Sequence, residues 1–549
     1  MRRLLFLLWI SSLPCFAQTL EKGVKLNGSL SIGAAYYTGN GINARRPPFN
    51  WYLSGAPTLT LFGISMPFSL VVSDQDRRFS QPFNQYGVSP RYKWATIHAG
   101  YRNVRFGEFT LNGANMLGGG FEINPGKLRL GAMYGRLNRA VNADSIDSYG
   151  SLGYIRATYK RMGYAAKVGF GTSNRFIDLS VFGARDDSAS IAPTSLVNPE
   201  QNLATGLKSH LGFFQNRLQI DLDAGISFLT RNTNLNQLLD SANNPLLRQA
   251  GKYIKVNASS GFFTAWQGQV NYSTRWGNLR TEYKKIDPGY RTLGAYYFQN
   301  DVEQITLSPS FQVLKGRLGF NLSYGAGRDN LNNKRISTTV RQVYSANLNI
   351  VASNQLNINL DYSNFGVSQN KGYGDLFNDT TAIQVINNNL GGVISFRPAS
   401  QHQLTISTFV QNTNDLNRFT ESFSESNSLL GSLSYSINNT AQKWNANAAI
   451  SYNNTRTDTR EILLISPTIS ASKVLDKWRF SLTENFQLRS SDGSKEGHTS
   501  STNLSVAYRL KKHSILWGAS YMSNKYSSES IGTADFSEFR SNLSYTLSF

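Results

Sequence analysis

Apolar and polar residues alternate along much of the chain, most clearly in its last stretch, residues 535–549. Leu543, Tyr545, Leu547 and Phe549 are separated there by serine and threonine. A period of two places the apolar side chains on one face of a β-strand and the hydroxyl side chains on the other. This stretch is therefore predicted to be a strand whose two faces meet different solvents.

The same alternation recurs through the middle of the chain. Between residues 218 and 228, apolar side chains alternate with Gln219, Asp221, Asp223 and Ser227. Carboxylates opposite leucines are hard to place in a soluble β-sandwich, but they are expected where one face meets lipid and the other a watery lumen. Comparable alternation occurs in residues 318–324, 356–362, 404–410, 444–452, 504–510 and 515–521.

The connections between these segments alternate between short turns and longer polar links, as in outer-membrane barrels with short periplasmic turns and longer extracellular loops. Counting strands back from Phe549 gives about 26, an even number that places both chain ends in the periplasm. The predicted fold is an all-β transmembrane antiparallel β-barrel of about 26 strands. Tight turns are predicted at residues 215–216, 277–278, 315–316, 353–354, 399–400, 438–439, 475–476 and 511–512, and longer links at 232–253, 329–339, 366–379 and 412–425.

Prolines modify this prediction because proline has no backbone N–H to donate to a sheet. We expect Pro67 in a turn, and Pro57 at a bulge or a strand start. Pro309 and Pro467 lie inside otherwise regular strands, so each is expected to mark a β-bulge.

The N-terminus is predicted to be a secretory signal peptide. Two arginines precede an apolar run from Leu4 to Ile10, and small residues follow near Ala17, so cleavage is expected after residue 17. The alternative is a lipoprotein signal with Cys15 as the lipidated residue, which the preceding Pro14 disfavours. Residues 18–549 would then form a single outer-membrane barrel domain. Cys15 is the only cysteine, so the mature chain would have no disulfides.

Two resemblances support this location. A final alternating strand closed by phenylalanine resembles the insertion signal of bacterial outer-membrane barrels, which implies recognition by the barrel-assembly machinery. Three stretches resemble an uncharacterised outer-membrane β-barrel family of Bacteroidota, a likeness that covers about the first third of the chain. They are GVSPRYKWATIHAGYRN at 87–103, AMYGRL at 132–137 and YKRMG at 159–163. This second resemblance implies a location and a fold but no activity.

The chain is basic, with a formal net charge of +21, or +19 once Arg2 and Arg3 are removed with the signal peptide. An exported chain is not expected to meet nucleic acid, so scattered solvated charges, a basic lumen, or loops in contact with lipopolysaccharide are the alternatives. The densest basic region is residues 91–139, where the alternation is also irregular. Residues 104–115 are expected to form a loop folded into the lumen or the periplasm. The candidate lumen cluster is Arg102, Arg105, Lys127, Arg129 and Arg136.

No catalytic or metal-binding motif is apparent. The five histidines have no metal-ligand spacing, and there is no nucleophile elbow or phosphate-binding loop. His402 and His513 lie beside predicted tight turns, whereas His98 and His210 lie in strands and could face the lumen. We therefore expect no cofactor and no enzymatic activity.

Two functions remain open for such a barrel. The first is a channel or porin-like conduit with a basic lumen that favours anions. The second is a structural or docking component of an outer-membrane secretion or assembly complex. A barrel of about 26 strands would leak if it were empty, so either its own loops or a partner protein capping the lumen should restrict it.

Overall fold

A computed structural model describes residues 23–74, 84–143, 157–194, 197–237, 245–296, 299–527 and 535–549. The predicted signal peptide, residues 1–17, lies outside these ranges. The strands form one antiparallel sheet that closes on itself. The final strand, β29 (Phe536–Ser548), pairs on one side with β28 (His513–Tyr526) and on the other with β2 (Ser29–Asn40). Closure satisfies the backbone groups of both edge strands, as a membrane-spanning sheet requires.

Three barrel strands are each built from two segments. β1 (Val24–Asn27) continues into β2 at Gly28, and β3 (Phe49–Gly55) continues into β4 (Thr58–Leu61) across Pro57. β6 (Gln85–Val88) likewise continues into β7 (Arg91–Tyr92) across Pro90. The 29 segments therefore make 26 barrel strands, which confirms the predicted fold.

The remaining strands follow in chain order around the barrel, each paired with its neighbours. In the first half they are β5 (Ile64–Ser73), β8 (Ala95–Arg105), β9 (Asn112–Ile123), β10 (Leu128–Asn138), β11 (Arg161–Thr172), β12 (Arg175–Asp186), β13 (Gln201–Phe213), β14 (Leu218–Thr230), β15 (Ser260–Ser273), β16 (Gly277–Ile286) and β17 (Val302–Val313). In the second half they are β18 (Leu318–Arg328), β19 (Ser337–Val351), β20 (Leu356–Lys371), β21 (Gln384–Ala399), β22 (His402–Asp415), β23 (Ser426–Asn439), β24 (Trp444–Thr457), β25 (Glu461–Leu475), β26 (Trp478–Ser491) and β27 (Ser494–Leu510).

Helical structure in the described residues is confined to connections. α1 (Pro245–Ala250) and α2 (Glu421–Ser424) are short, and two 3-10 turns span Leu314–Gly316 and Asp379–Thr381. Among the described residues, no helix is long and apolar enough to cross a membrane.

The two faces of each strand differ as the alternation predicts. On β12 the outward Ile177 and Leu179 are 50% and 56% exposed, whereas the inward Asp178 is 3% exposed. Exposed apolar side chains on a closed barrel are the surface that lipid covers. The inward side chains instead face the lumen, where the candidate site lies.

Three of the four proline predictions are wrong. Pro67 lies inside β5, where it pairs with Thr58, and not in a turn. Pro309 causes no bulge, because the pairs Leu307–Tyr324 and Ser310–Asn321 on either side of it keep one register. Pro467 behaves in the same way within β25. These strands accommodate their prolines without a change of register, while Pro57 directly precedes β4, as expected.

The turn positions agree with the prediction with small shifts. Residues 277–278 belong to β16 and residues 438–439 to β23, so these turns lie at 274–276 and 440–443. Three predicted long links are partly strand, since β19 begins at Ser337, β20 extends to Lys371 and β22 extends to Asp415. The periplasmic connections are two to four residues long, and the extracellular ones are mostly longer.

Candidate functional site in the lumen

The connection between β8 and β9, residues 106–111, packs against the inner wall and is called the inward loop below. It is shorter than residues 104–115, because β8 continues to Arg105 and β9 begins at Asn112. Phe106, Phe109 and Leu111 are at most 2% exposed. Burying each such side chain stabilises the loop by about 1.5–3 kcal/mol. The inward loop is thus held in the lumen by apolar contacts.

Polar contacts show how deeply the inward loop reaches. The Glu108 N–H lies 3.3 Å from both carboxylate oxygens of Asp223 on β14. The Thr110 Oγ1 lies 2.9 Å from the Ser180 Oγ on β12. Asp223 and Ser180 are several residues from the extracellular ends of their strands. At about 3.3 Å per residue, the loop descends roughly 20 Å along the wall.

The extracellular connection between β16 and β17 covers the inward loop through residues 287–296. The Tyr290 hydroxyl donates to the Phe109 carbonyl at 2.6 Å, and the Thr292 hydroxyl donates to the Thr110 carbonyl at 2.8 Å. The rings of Phe109 and Tyr290 also meet edge to face. Burial raises the pKa of the Tyr290 hydroxyl far above its usual range, so it remains a donor at physiological pH.

Glycines in the wall make room for the inward loop. A Cβ added at Gly225 would lie 2.3 Å from the Phe109 Cβ, and one at Gly206 would lie 2.9 Å from the Thr110 Cγ2. At Gly131 it would lie 3.0 Å from the Phe106 ring. Real Cβ atoms rarely approach so closely, so the absence of side chains at these positions permits the observed packing.

The inner wall of the second half of the barrel is polar. The Asn347 amide donates to Asp361 at 2.6 Å and to Asn359 at 3.2 Å. Hydroxyls also pair across strands, with Ser407 and Ser432 at 2.7 Å. The inward loop packs against β10–β17, so this hydroxyl- and amide-lined wall faces the rest of the lumen.

A polar cavity of about 660 Å³ lies at the extracellular end, beside the inward loop. Arg161 forms two hydrogen bonds to Asp186, at 2.7 and 2.8 Å, and one to Glu200 at 2.9 Å. Arg291 pairs with the same Glu200 at 2.6 and 3.0 Å. Arg231 also lines the cavity. Arg161, Arg291, Asp186 and Glu200 thus form a compact network of paired charges in the cavity lining.

The predicted basic cluster is divided among several environments. Arg129 on β10 forms two hydrogen bonds to Asp178, at 2.7 and 2.9 Å. Arg105 pairs with Glu108 of the inward loop. Arg102 donates to Ser69 at 3.1 Å and to the Pro67 carbonyl at 3.4 Å. Two of these three arginines therefore have carboxylate partners.

The other two members of the cluster lie elsewhere. Lys127 lies 6.0 Å from the ring of Phe170, a side chain that is 65% exposed on the outer face. Arg136 donates to the Tyr101 hydroxyl at 3.2 Å and shares its strand face with the 61% exposed Tyr134. The five residues therefore do not form one ring.

The two histidines predicted to lie in strands both contact carboxylates. His98 lies 2.9 Å from the Ser89 hydroxyl and 3.5 Å from Glu122, and His210 lies 2.6 Å from Asp221. His402 and His513 begin β22 and β28, beside tight turns as predicted. Within the described ranges, no group of three or more His, Cys, Asp or Glu residues is placed to hold a metal ion.

The chain matches no protein-family model and no curated protein sequence. Solved structures with similar folds include the translocation pore of the P pilus usher PapC, with a TM-score of 0.39 and 11% identity over 96% of this chain and 100% of that one. The E. coli PapC-PapD-PapK-PapG assembly intermediate gives 0.47 and 11% over 97% and 62%. Acinetobacter baumannii OccAB2 gives 0.31 and 10% over 64% and 93%. These similarities carry no information about solute or partner.

Proposed function

We propose that the protein is an outer-membrane conduit for small polar solutes, narrowed from within by the inward loop. One observation carries this proposal: the loop packs against only part of the wall, while β18–β29 present hydroxyl and amide side chains to the lumen. A polar, water-accessible wall lets hydrated solutes pass. The loop reduces the open area of a barrel that would otherwise leak.

The proposal includes a basic lumen, but with fewer uncompensated positive charges than the sequence predicts. Arg102 lies on the inner wall and is bonded to neutral groups, so its charge is not cancelled by an adjacent carboxylate. Arg129 and Arg105 contribute less because each faces an acid. We accordingly attribute weak anion preference to this wall.

Solute flux into proteoliposomes tests the conduit directly. A small neutral sugar should enter vesicles that contain the protein, whereas a large dextran should stay outside. A variant in which residues 106–111 are replaced by a glycine-serine segment of equal length should admit larger solutes. If neither the natural chain nor this variant passes the small sugar, the conduit is refuted.

One feature favours docking as a second candidate function. Two extracellular loops, 372–383 and 416–425, expose several large apolar side chains to water. Asn417 joins them by donating to the Asp379 and Ala382 carbonyls, at 2.9 and 2.7 Å. Contiguous exposed apolar surface often marks a protein-binding site. The exposed residues are Tyr373, Leu376, Leu416, Phe419 and Phe423.

Pull-down from native outer membranes separates docking from conduction. A partner held by these loops should be lost when Leu376 and Phe423 are both changed to serine, and solute flux should not change. Retention of the same partner by the variant would remove the docking role.

The cellular setting completes the proposal. We propose export through the signal peptide of residues 1–17, insertion by the barrel-assembly machinery, and membership of the Bacteroidota family that residues 87–103 resemble. The lipid-facing band described above supports residence in the outer membrane. Lipopolysaccharide would then contact the extracellular half of the outer wall.

A further inference from the structure

The periplasmic turns are strongly basic. They contain ten lysine and arginine residues but a single acid, Asp476. Basic residues at a membrane surface can simply contact lipid phosphates, so most of these side chains have an ordinary explanation. The ten are Lys93, Lys127, Arg217, Arg275, Lys315, Arg317, Lys443, Lys477, Lys511 and Lys512.

One part of this end differs because its basic residues surround a cavity on the inner wall. The cavity has a volume of about 680 Å³ and lies between the β25–β26 and β27–β28 hairpins and the start of the closing seam. Arg479 and Arg509 line it from within the strands. They share the inward face with Ser481 and Ser505, whereas the neighbouring Phe480 faces lipid. Their guanidinium groups therefore point away from the bilayer.

Lys477, Lys511 and Lys512 bring three further cations to the same cavity from the two turns. Within the described part of the chain, none of the five basic side chains forms an ion pair, in contrast to Arg129 and Arg161. Asp476 is the one acid among the lining residues. Five basic side chains thus line one recess whose lining contains a single acidic side chain. Ser514, Thr546 and Ser548 add hydroxyl donors to the lining.

We propose that this cavity, the periplasmic basic cavity, binds an oxyanion of the phosphate class carried by a small solute. Guanidinium groups donate paired hydrogen bonds that match phosphate oxygens, and lysines add charge without a fixed geometry. This proposal rests on the conduit function proposed above. The bound oxyanion would be the class of solute that the lumen concentrates at its periplasmic end. Placement on the inner wall selects a soluble phosphate over a phospholipid headgroup.

Calorimetric titration of the purified barrel with pyrophosphate tests the site. We expect saturable binding that weakens as salt rises, because salt screens charges over about 10 Å at 0.1 M. The variant R479Q/R509Q should bind at least about tenfold more weakly, since hydrogen bonds between charged partners are the strong ones. The control R217Q/R317Q removes equal charge from turns at the same end, outside the cavity, and should change affinity less than about twofold by the same reasoning.

Equal weakening in both variants, or no saturable binding by the natural chain, would overturn the proposal. Should R479Q/R509Q fail to give folded barrel, K511Q/K512Q changes only turn residues and should also weaken binding. A second arm adds vesicles of phosphatidylglycerol: competition with pyrophosphate at this cavity would assign it to lipid and overturn the soluble ligand. Pyrophosphate binding without solute flux would support the binding site and refute the conduit. Solute flux without pyrophosphate binding would support the conduit and refute the binding site.

Discussion

At the scale of single residues, charged side chains in the lumen wall are paired with partners on other strands, as Arg129 and Asp178 show. Arg129 is 21% exposed and its partner Asp178 only 3%, and the guanidinium also lies 4.1 Å from the ring of Phe176. An unpaired carboxylate at such a position would lose both its hydrogen bonds and its counter-charge. Arg129 is therefore a structural residue of the wall more than a source of selectivity.

This assignment predicts the effect of Arg129→Gln. The free energy of unfolding in detergent should fall by about 3 kcal/mol, because the buried Asp178 is left unpaired. The double variant R129Q/D178N should recover most of the loss, since no buried charge remains. Denaturant titrations of both variants measure this, and an R129Q chain as stable as the natural one would contradict the structural role.

The density of arginines in residues 91–139 is visible in the sequence, but their partners are not. Asp178 is 49 positions from Arg129 and meets it only because two β-hairpins are in a particular register. The sequence predicts that Lys127 and Arg136 face the lumen. The alternation is irregular here and the strand ends are uncertain from the sequence, so the face that each residue occupies cannot be assigned from it. The sequence does not reveal the periplasmic basic cavity for the same reason, because its basic residues lie on two separate hairpins, at 477–479 and 509–512.

At the scale of elements, alternation predicts strands well wherever both faces meet a uniform solvent, as in β18–β29. Alternation is a weaker predictor of strands where a loop, and not water, covers the inner face. There Gly131, Gly206 and Gly225 occupy inward strand positions against the inward loop. These glycines lie on different strands and belong to no local sequence motif. The sequence alone therefore does not show that they face a common loop.

Cysteine labelling along β14 tests whether this strand has one lipid-facing and one lumen-facing side, and where the inward loop covers it. The mature chain is expected to contain no cysteine, so single substitutions are clean probes. Asp221→Cys should react quickly with a water-soluble reagent, while Leu222→Cys should be shielded by lipid. Asp223→Cys should react slowly because the inward loop covers it. Fast reaction at residue 223 would place the loop elsewhere, and equal reaction at 221 and 222 would contradict the two-faced strand.

The closing strand supports a separate prediction. Leu543, Tyr545 and Leu547 face outward on β29, and the Phe549 N–H donates to the Gly28 carbonyl at 2.9 Å. Changing Tyr545 and Phe549 to serine should lower the amount of protein in the outer membrane and leave protease-sensitive chain in the periplasm. The outward Leu433→Ser, on a strand far from the seam, is the control. Unchanged membrane levels would show that the terminal strand is not the insertion signal.

At the scale of the whole molecule, the barrel combines a filled region and a polar region within one closed wall. Strands β10–β17 pack against the inward loop through apolar side chains, while β18–β29 line the lumen with amides and hydroxyls. In the proposed conduit, this asymmetry would narrow the lumen of the 26-stranded barrel on one side only. If the proposed conduit is correct, the position of this six-residue loop should control permeability.

Single-channel conductance in planar bilayers tests that claim most directly. Gly225→Val places a side chain where Phe109 now lies, and should displace the inward loop and enlarge the conductance. Gly319→Val is the matched control on the inner wall, since only the Gln312 Cγ, at 4.0 Å, lies near an added Cβ. Migration as folded barrel on gels would confirm that both variants are intact. A larger conductance in G225V alone is the predicted result, and identical conductance in all three proteins would contradict the account.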